Sequence, residues 1–218
     1  MIVAVTSKIT YEKNYHEVRD SISHDLSNFF LNQKIFMTIL PNINLDPKKF
    51  FKKMPFDLLV LSGGDNINLT NIKKNSRENT EINFLLFCIK YKIPVIGICR
   101  GMQFINKYFG GGLTIDNKSK HVNKFHKVSS KIKFDFFPTK NFIVNSFHRN
   151  VINYDDLSNA LNPICFADDK SIEGFIHKKY PIIGIMWHPE RNFVENKTNT
   201  FFKKSFLKKA YKFLINSL

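Results

Sequence analysis

The sequence predicts an α/β protein built on a doubly wound, mostly parallel central sheet, with helices on both faces and a few added antiparallel strands. Three observations predict it. Short, nearly continuous apolar runs at Ile2 to Val5, Asp57 to Leu61, Val95 to Ile98 and Ile182 to Trp187 read as strands covered on both faces. Between them lie segments whose apolar residues recur at three- and four-residue spacing, the pattern of helices with one buried stripe. Two of the strands then run into glycines, Gly63-Gly64 and Gly97 with Gly101, and in such sheets ligands bind beyond the carboxyl ends of the strands.

In chain order, Ile2 to Val5 is the first buried strand. Val18, Ile22, Leu26, Phe29 and Phe30 predict a helix over 18–30, with His16 and His24 on the surface. Ile35 to Leu40 is a strand closed by Pro41, and the stretch to Pro55 holds a short helix or loop anchored by Phe50 and Phe51. Glu78 to Tyr91 reads as a helix with Ile82, Leu85, Leu86 and Ile89 on its apolar side, followed by the strand Val95 to Ile98 and a helix over 101–108. Gly110-Gly-Gly112 stops that helix. Alternation at Phe125 to Val128 and at Ile132 to Phe136 predicts antiparallel strands in the basic region from Lys118 to Phe137. Phe142 to Arg149 ends a strand in polar residues, and Ile164 to Asp168 with Ser171 to Ile176 forms a hairpin. Ile182 to Trp187 is the last buried strand, and Phe201 to Ile215 a closing Lys-rich helix.

With 218 residues and no Pro/Gly/Ser-rich linker, residues 1–218 are expected to form one domain. The net charge of +15 invites a nucleic-acid reading, but the lysines are scattered and no basic stretch carries interleaved aromatics, so no nucleic-acid partner is expected. Three cysteines, Cys88, Cys99 and Cys165, with no C-x-x-C pair, argue against both a disulfide framework and a zinc site. Neither His121 nor His126 has a partner at a recognisable metal spacing, and no metal and no cofactor are expected. The N-terminus lacks a basic, long apolar leader and no run is of membrane-spanning length, so a cytoplasmic protein with no membrane partner is expected.

Gly97-Ile-Cys-Arg-Gly101 is the thiol form of a nucleophile elbow, in which small residues two before and two after the nucleophile let the chain bend sharply enough to expose it. A lone strand-end cysteine more often packs as a small hydrophobe; the flanking glycines and the polar Arg100 and Gln103 weigh against that here. A helix N-terminus lowers a thiol's pKa, and the backbone N–H of Arg100 points toward a developing oxyanion. A cysteine nucleophile needs a base, and the base an orienting acceptor; His188-Pro-Glu190, ending the last strand, supplies both. The paired glycines Gly63 and Gly64 free the backbone either for a tight turn or for N–H groups that approach a ligand.

Gly97-Ile-Cys-Arg-Gly-Met-Gln103 together with Gly184-Ile-Met-Trp-His-Pro-Glu190 resembles the class I, triad-type glutamine amidotransferase family, and Leu61-Ser-Gly-Gly64 matches that family's oxyanion loop. The resemblance implies a flavodoxin-like doubly wound sheet and cleavage of γ-glutamyl amides. It assigns Cys99 as nucleophile, His188 as acid/base and Glu190 as orienting carboxylate. Backbone N–H groups of Gly64 and Arg100 would hold the oxyanion, and Gly63 and Gln103 the glutamyl group. Cys-Arg-Gly and Asn145-Ser-Phe-His148 resemble the γ-glutamyl hydrolase branch, which makes Asn145, Ser146 and His148 candidates for glutamyl recognition. Ser62-Gly-Gly-Asp-Asn-Ile-Asn68 departs from the γ-glutamyl-γ-aminobutyrate hydrolase pattern, so the amine side of the substrate is expected to differ. The likeness extends to bacterial hydrolases of capsule biosynthesis that act on γ-glutamyl nucleotidyl amidates, and the charge of +15 suits an anionic, nucleotide-linked leaving group. The alternatives are a glutaminase subunit with a separate synthetase partner, a γ-glutamyl-γ-aminobutyrate hydrolase, and a non-catalytic binding domain.

Overall fold

In the computed structural model, which describes residues 1–65, 67, 76–116, 120–191 and 201–217, the β-branched run Ile2–Thr6 (β1) is followed at once by a hairpin, Lys8–Glu12 (β2) and Glu17–Ser21 (β3). The Ser23 hydroxyl then accepts from the amide of Leu26 at 3.2 Å, satisfying a donor that the first helical turn leaves free and starting the helix His24–Asn32 (α1). Phe36–Leu40 (β4) follows. Asp46 caps Pro47–Lys53 (α2), and Leu58–Leu61 (β5), Ser76–Tyr91 (α3), Val95–Ile98 (β6) and Arg100–Tyr108 (α4) complete the parallel half. The second half is mainly β: Thr114–Ile115 (β7), Val122–Ser130 (β8), Asn141–Phe147 (β9), Asn150–Val151 (β10), Leu161–Ala167 (β11), Ile172–His177 (β12) and Ile182–Ile185 (β13). A π-helical turn, Phe202–Phe206, leads into Leu207–Asn216 (α5). Asn66, Asn68 and Lys118 lie outside the described residues.

Nine strands form one sheet in the order β4-β1-β5-β6-β13-β12-β11-β8-β9. The first five pair in parallel and the last four extend the sheet antiparallel from β13. Because side chains alternate across a strand, Val3 and Val5 join Leu26, Phe30, Phe206 and Leu207 on one face, while Ala4 joins Leu59, Phe84, Leu85 and Phe104 on the other. Helices α1 and α5 thus cover one face and α2, α3 and α4 the other, the doubly wound, flavodoxin-like arrangement. Strands β5, β6 and β13 are neighbours with Leu61 opposite Gly97 and Ile98 opposite Ile185, so three loops leave the same edge of the sheet side by side.

The expected helix over 18–30 forms only from residue 24, and its first four residues belong to the hairpin. Val18 pairs with Tyr11 and is largely exposed, so its spacing to Ile22 and Leu26 was coincidental, and the helix begins only after the Ser23 cap. His16 and His24 are exposed. Helix α3 buries the expected Leu85 and packs Ile82 and Ile89 against the core, but Leu86 is about half exposed and the buried face turns instead to Arg77, Glu78, Thr80, Glu81, Phe84 and Cys88. No strand forms at Ile132 to Phe136. Phe134, Phe136 and Phe137 all point into one aromatic cluster, with ring centroids 4.9 Å and 4.6 Å apart, which a two-residue alternation does not allow. The closing helix starts with the π-helical turn rather than as a uniform α-helix. Among the described residues no helix is long and apolar enough to cross a membrane.

Candidate active site

Cys99 stands between β6 and α4 with φ 50° and ψ −104°, a backbone that residues bearing a side chain rarely adopt. Its amide donates to the Ile185 carbonyl at 2.8 Å, and its own carbonyl accepts from the Gln103 amide at 3.1 Å, so the sharp turn is held from both sides. Both flanking glycines are required by close approach. A Cβ on Gly101 would overlap the Leu61 carbonyl, and one on Gly97 would lie 2.6 Å from Ile105 Cδ1 and 2.7 Å from the Gly101 carbonyl oxygen. The helix α4 can therefore rise directly off the sheet and leave the thiol at its N-terminus.

His188 follows β13, with the fully buried Trp187 packed among Phe137, Phe142 and Phe202 as its anchor. Asn145 grips the His188 backbone twice: its Nδ2 donates to the His188 carbonyl at 2.9 Å and its Oδ1 accepts from the His188 amide at 2.9 Å. His188 Nδ1 and Glu190 Oε1 are 2.6 Å apart, and the same imidazole lies close enough to the Cys99 thiol for each to shift the other's pKa. Burial alone would push the thiol up, yet the His188 charge beside it lowers it below its ordinary value. Burial likewise disfavours an imidazolium, but Glu190 and Cys99 together raise His188 to about 10. Each charge thus favours the other, a thiolate beside an imidazolium that a carboxylate orients.

The loop after β5 closes over the pair. Gly64 has φ +129°, and a Cβ on Gly63 would lie 2.6 Å from His188 Cε1. Arg77, buried in α3, donates through Nη2 to the carbonyls of Ser62 at 2.8 Å and Gly63 at 3.0 Å. It is held by Glu81, whose other oxygen accepts from Arg100 Nη1 at 2.6 Å, and Glu78 lies 3.5 Å from Arg100. Two arginines and two glutamates thus form a buried, charge-balanced network beneath the glycine loop and the elbow. Thr6 adds a hydrogen bond to Glu81 at 3.2 Å and accepts from the Ser62 amide at 3.0 Å, tying the network to β1.

A cavity of about 270 Å³ opens over the thiol, lined by Gly64, Cys99, Gln103, His148, Arg149 and Asn150 among others. Cys99, His188, Glu190, Gly64, Gln103 and His148 are therefore brought together around one space or one another. Gly63 faces His188 and a second cavity of about 320 Å³ on the other side of the loop. The Arg100 backbone follows the thiol, while its side chain turns away into the ion network. Asn145 and Ser146 are fully buried, Asn145 spent on His188 and Ser146 Oγ donating to the His121 carbonyl at 2.7 Å. His148 Nε2 lies 3.5 Å from the buried Glu173, which raises its pKa against the effect of burial. Sequence reasoning passed over Arg77, Glu81, Asn150 and Glu173. The signal available for the first two was their i, i+4 spacing, which reads equally well as a solvated pair.

The family model for glutamine amidotransferase class-I matches residues 14–208. The chain belongs to the class I glutamine amidotransferase family. As a member of that family it is 33% identical over 194 residues to the γ-glutamyl-CDP-amidate hydrolase of Campylobacter jejuni, covering 88% of this chain and 90% of that one. It is also 32% identical over 162 residues to the carbamoyl phosphate synthase small chain of Sulfolobus acidocaldarius, covering 71% of this chain but 38% of that one. Among solved structures, a glutamine amidotransferase of Thermotoga maritima superposes with a TM-score of 0.71 at 15% identity, covering 98% of this chain and 97% of that one, a likeness of fold.

Proposed function

We propose that this amidotransferase-family chain is a single-domain, cytoplasmic hydrolase of γ-glutamyl amides in which Cys99 is the nucleophile, His188 the acid/base and Glu190 the orienting carboxylate. The observation that carries the reading is an imidazole coupled electrostatically to the elbow thiol, its Nδ1 2.6 Å from a carboxylate, beneath a loop of two glycines. The thiolate attacks the γ-carbonyl carbon, and the resulting oxyanion is stabilised by the backbone N–H groups of Gly64 and Arg100. As the C–N bond breaks, His188 gives its proton to the departing nitrogen, leaving a γ-glutamyl thioester and a free amine. His188 then takes a proton from water, the hydroxide attacks the thioester, and glutamate leaves with Cys99 restored as thiolate. Gln103, at the cavity wall, contacts the glutamyl moiety; His148, whose ring nitrogens face the Asn150 carbonyl and Glu173, shapes that wall, and Asn145 and Ser146 support the loops that frame it. No step calls for a cofactor.

For the leaving group we infer a nucleotide-linked amine, with γ-glutamyl-CDP-amidate cleaved to glutamate and cytidine diphosphoramidate on the way to capsule phosphoramidate. Arg149 lines the cavity, Arg191 lies 4.6 Å over the Phe147 ring at its rim, and the whole chain carries +15. A diphosphate gains from such a field and a neutral amine does not. The relation to a carbamoyl phosphate synthase small chain favours a second reading, a glutaminase that works for a synthetase partner. Comparing kcat/KM for γ-glutamyl-CDP-amidate, γ-glutamyl-γ-aminobutyrate and glutamine at several salt concentrations separates them. The hydrolase reading expects the nucleotidyl amidate to be preferred, with a preference that shrinks as salt rises. Equal rates on all three, or glutamine turnover that appears only when a partner chain is added, would refute it.

A further inference from the structure

Behind the cavity wall, four side chains converge from parts of the chain that are far apart in sequence. Glu173 on β12 is fully buried. His121 lies just before β8, His126 is on β8, and His148 follows β9. His126 Nε2 is 3.5 Å from Glu173 Oε2, His148 Nε2 is 3.5 Å from Glu173 Oε1, and His121 Nδ1 is 3.8 Å from Glu173 Oε1. One donor atom each from His121, His126 and Glu173 all lie within 4.8 Å of one another. None of these three imidazole nitrogens, and neither Glu173 oxygen, has a hydrogen-bond partner among the described residues, although all five are shut off from solvent. Five orphaned polar atoms in one buried place are costly unless something sits among them.

We propose that His121, His126 and Glu173, with His148 beside them, form a binding site for a divalent metal ion, zinc by the character of its donors. The site stands apart from the hydrolase reading and does not depend on it.

Three features of the geometry fit a metal better than a set of direct hydrogen bonds. First, separations of 3.5–3.8 Å are too long for charge-assisted hydrogen bonds, which run about 2.7–2.9 Å. A tetrahedron with metal–nitrogen and metal–oxygen bonds of about 2.0–2.1 Å has edges of about 3.4 Å, which the histidine-to-carboxylate separations approach; the donor atoms as a set lie within 4.8 Å of one another and would draw together around an ion. Second, the tautomers are set from behind. His121 Nε2 is 3.0 Å from the Asp169 carboxylate, and His148 Nδ1 donates to the Asn150 carbonyl at 3.0 Å. Each of these bonds fixes the proton on the far nitrogen and turns a bare lone pair toward Glu173, the arrangement that orients metal-bound histidines. Third, the charges balance: a dication against the carboxylates of Glu173 and Asp169, with neutral imidazoles, leaves the pocket uncharged. An imidazole-rich set with one carboxylate suits zinc over magnesium or calcium, which ask for oxygen. Bound there, the ion would pin β8 to β12 and set the rotamer of His148, which forms part of the cavity wall over Cys99.

The chain spacing hid this site, because 121, 126, 148 and 173 match no short ligand motif, and the sequence reading accordingly expected no metal.

The test uses the full chain carrying Cys99→Ser, so that the active-site thiol cannot supply a ligand, dialysed against a chelator and then titrated with zinc and with cobalt. One equivalent of each should bind, and cobalt should show the visible bands of a tetrahedral ion. His126→Ala, at a partly exposed side chain, should abolish stoichiometric binding while the chelated protein keeps its melting temperature. Asp169→Asn, which keeps an oxygen for the two Ser171 hydrogen bonds but removes the negative charge and the acceptor behind His121, should weaken binding by about 10- to 100-fold. Glu173→Gln should also lose the ion. Failure to retain one equivalent of either metal would overturn the proposal. So would unchanged affinity in His126→Ala, which would assign the ion to another histidine. A sulfur-to-cobalt charge-transfer band in the Cys99→Ser protein would equally sink it, since Cys165 would then be the ligand.

Discussion

Glu81→Gln tests whether the buried ion network holds the glycine loop. Glu81 is fully buried and joins two guanidiniums, Arg77 at 3.0 Å and Arg100 at 2.6 Å, with Thr6 as a third donor. Glutamine keeps nearly the same shape but removes the negative charge between two positive ones, and its amide offers a donor where an acceptor stood. Breaking a buried pair by removing one partner costs about 3–5 kcal/mol, which lowers the folded-to-unfolded ratio by roughly 150- to 5000-fold. For a chain of 218 residues that is a fall in melting temperature of about 6–20 °C. Urea denaturation of the two proteins at pH 7 measures it. The pH dependence separates charge from packing. Although burial alone would raise it, Arg100 and Arg77 hold the Glu81 carboxyl below its ordinary value. The stability it contributes is thus complete above its unfolded pKa of about 4.3 and drains away as the pH falls through its lower folded value. The gap between wild type and Glu81→Gln should therefore narrow on acidification below about pH 4. A cost under ~1 kcal/mol at pH 7, or a gap that does not change with pH, would refute the reasoning.

Three further outcomes are expected. Iodoacetamide should label Cys99 alone, because burial pushes the Cys88 and Cys165 thiols up; the rate should inflect below pH 9.0, and in Glu190→Gln the inflection should move upward as His188 loses its carboxylate. An inflection at or above 9.0 in the wild type would dissolve the thiolate–imidazolium pair. In amide hydrolysis, Cys99→Ala and His188→Asn should be similarly inactive, while Glu190→Gln retains roughly 10²-fold more activity, as units that act together show; a silent Glu190→Gln would mean another group orients the imidazole. Gly101→Ala should gain about 1 kcal/mol in helix propensity but lose ~3 kcal/mol or more to overlap with the Leu61 carbonyl, which cannot step aside; a variant as stable as the wild type in urea would show that the elbow has more room than the geometry allows.

What could be read from the sequence were features whose cause is local. Continuous apolar strands, the two-glycine elbow and the H-P-E segment announce themselves, because burial on both faces, a sharp backbone turn and a strand-terminal base each demand particular residues in place. The hairpin of β2 and β3 escaped because Val18 and Ile22 happen to stand four apart, and exposed hairpin strands carry little alternation. Arg77 and Glu81 escaped for a deeper reason: charges on a helix face water by default, and only the return of β1, the glycine loop and Arg100 to the same place turns them inward. Asn145 looked like a substrate contact because it stands in a polar strand end; that its amide clasps the His188 backbone depends on strands 43 residues apart. The cluster about Glu173 is likewise assembled by sheet order and leaves no mark on spacing.

The backbone at Cys99 carries a consequence for how such a protein changes over generations. A residue with a side chain pays of order 1–3 kcal/mol to stand at that φ and ψ, and glycine stands there without strain. Folding and chemistry therefore pull in opposite directions on a single codon. In a lineage selected for a sound fold alone, drift at position 99 would run toward glycine and leave a sturdier molecule. Abundance and heat resistance would then give no warning that the reaction had been lost, and a healthy-looking descendant would have to be assayed to be known.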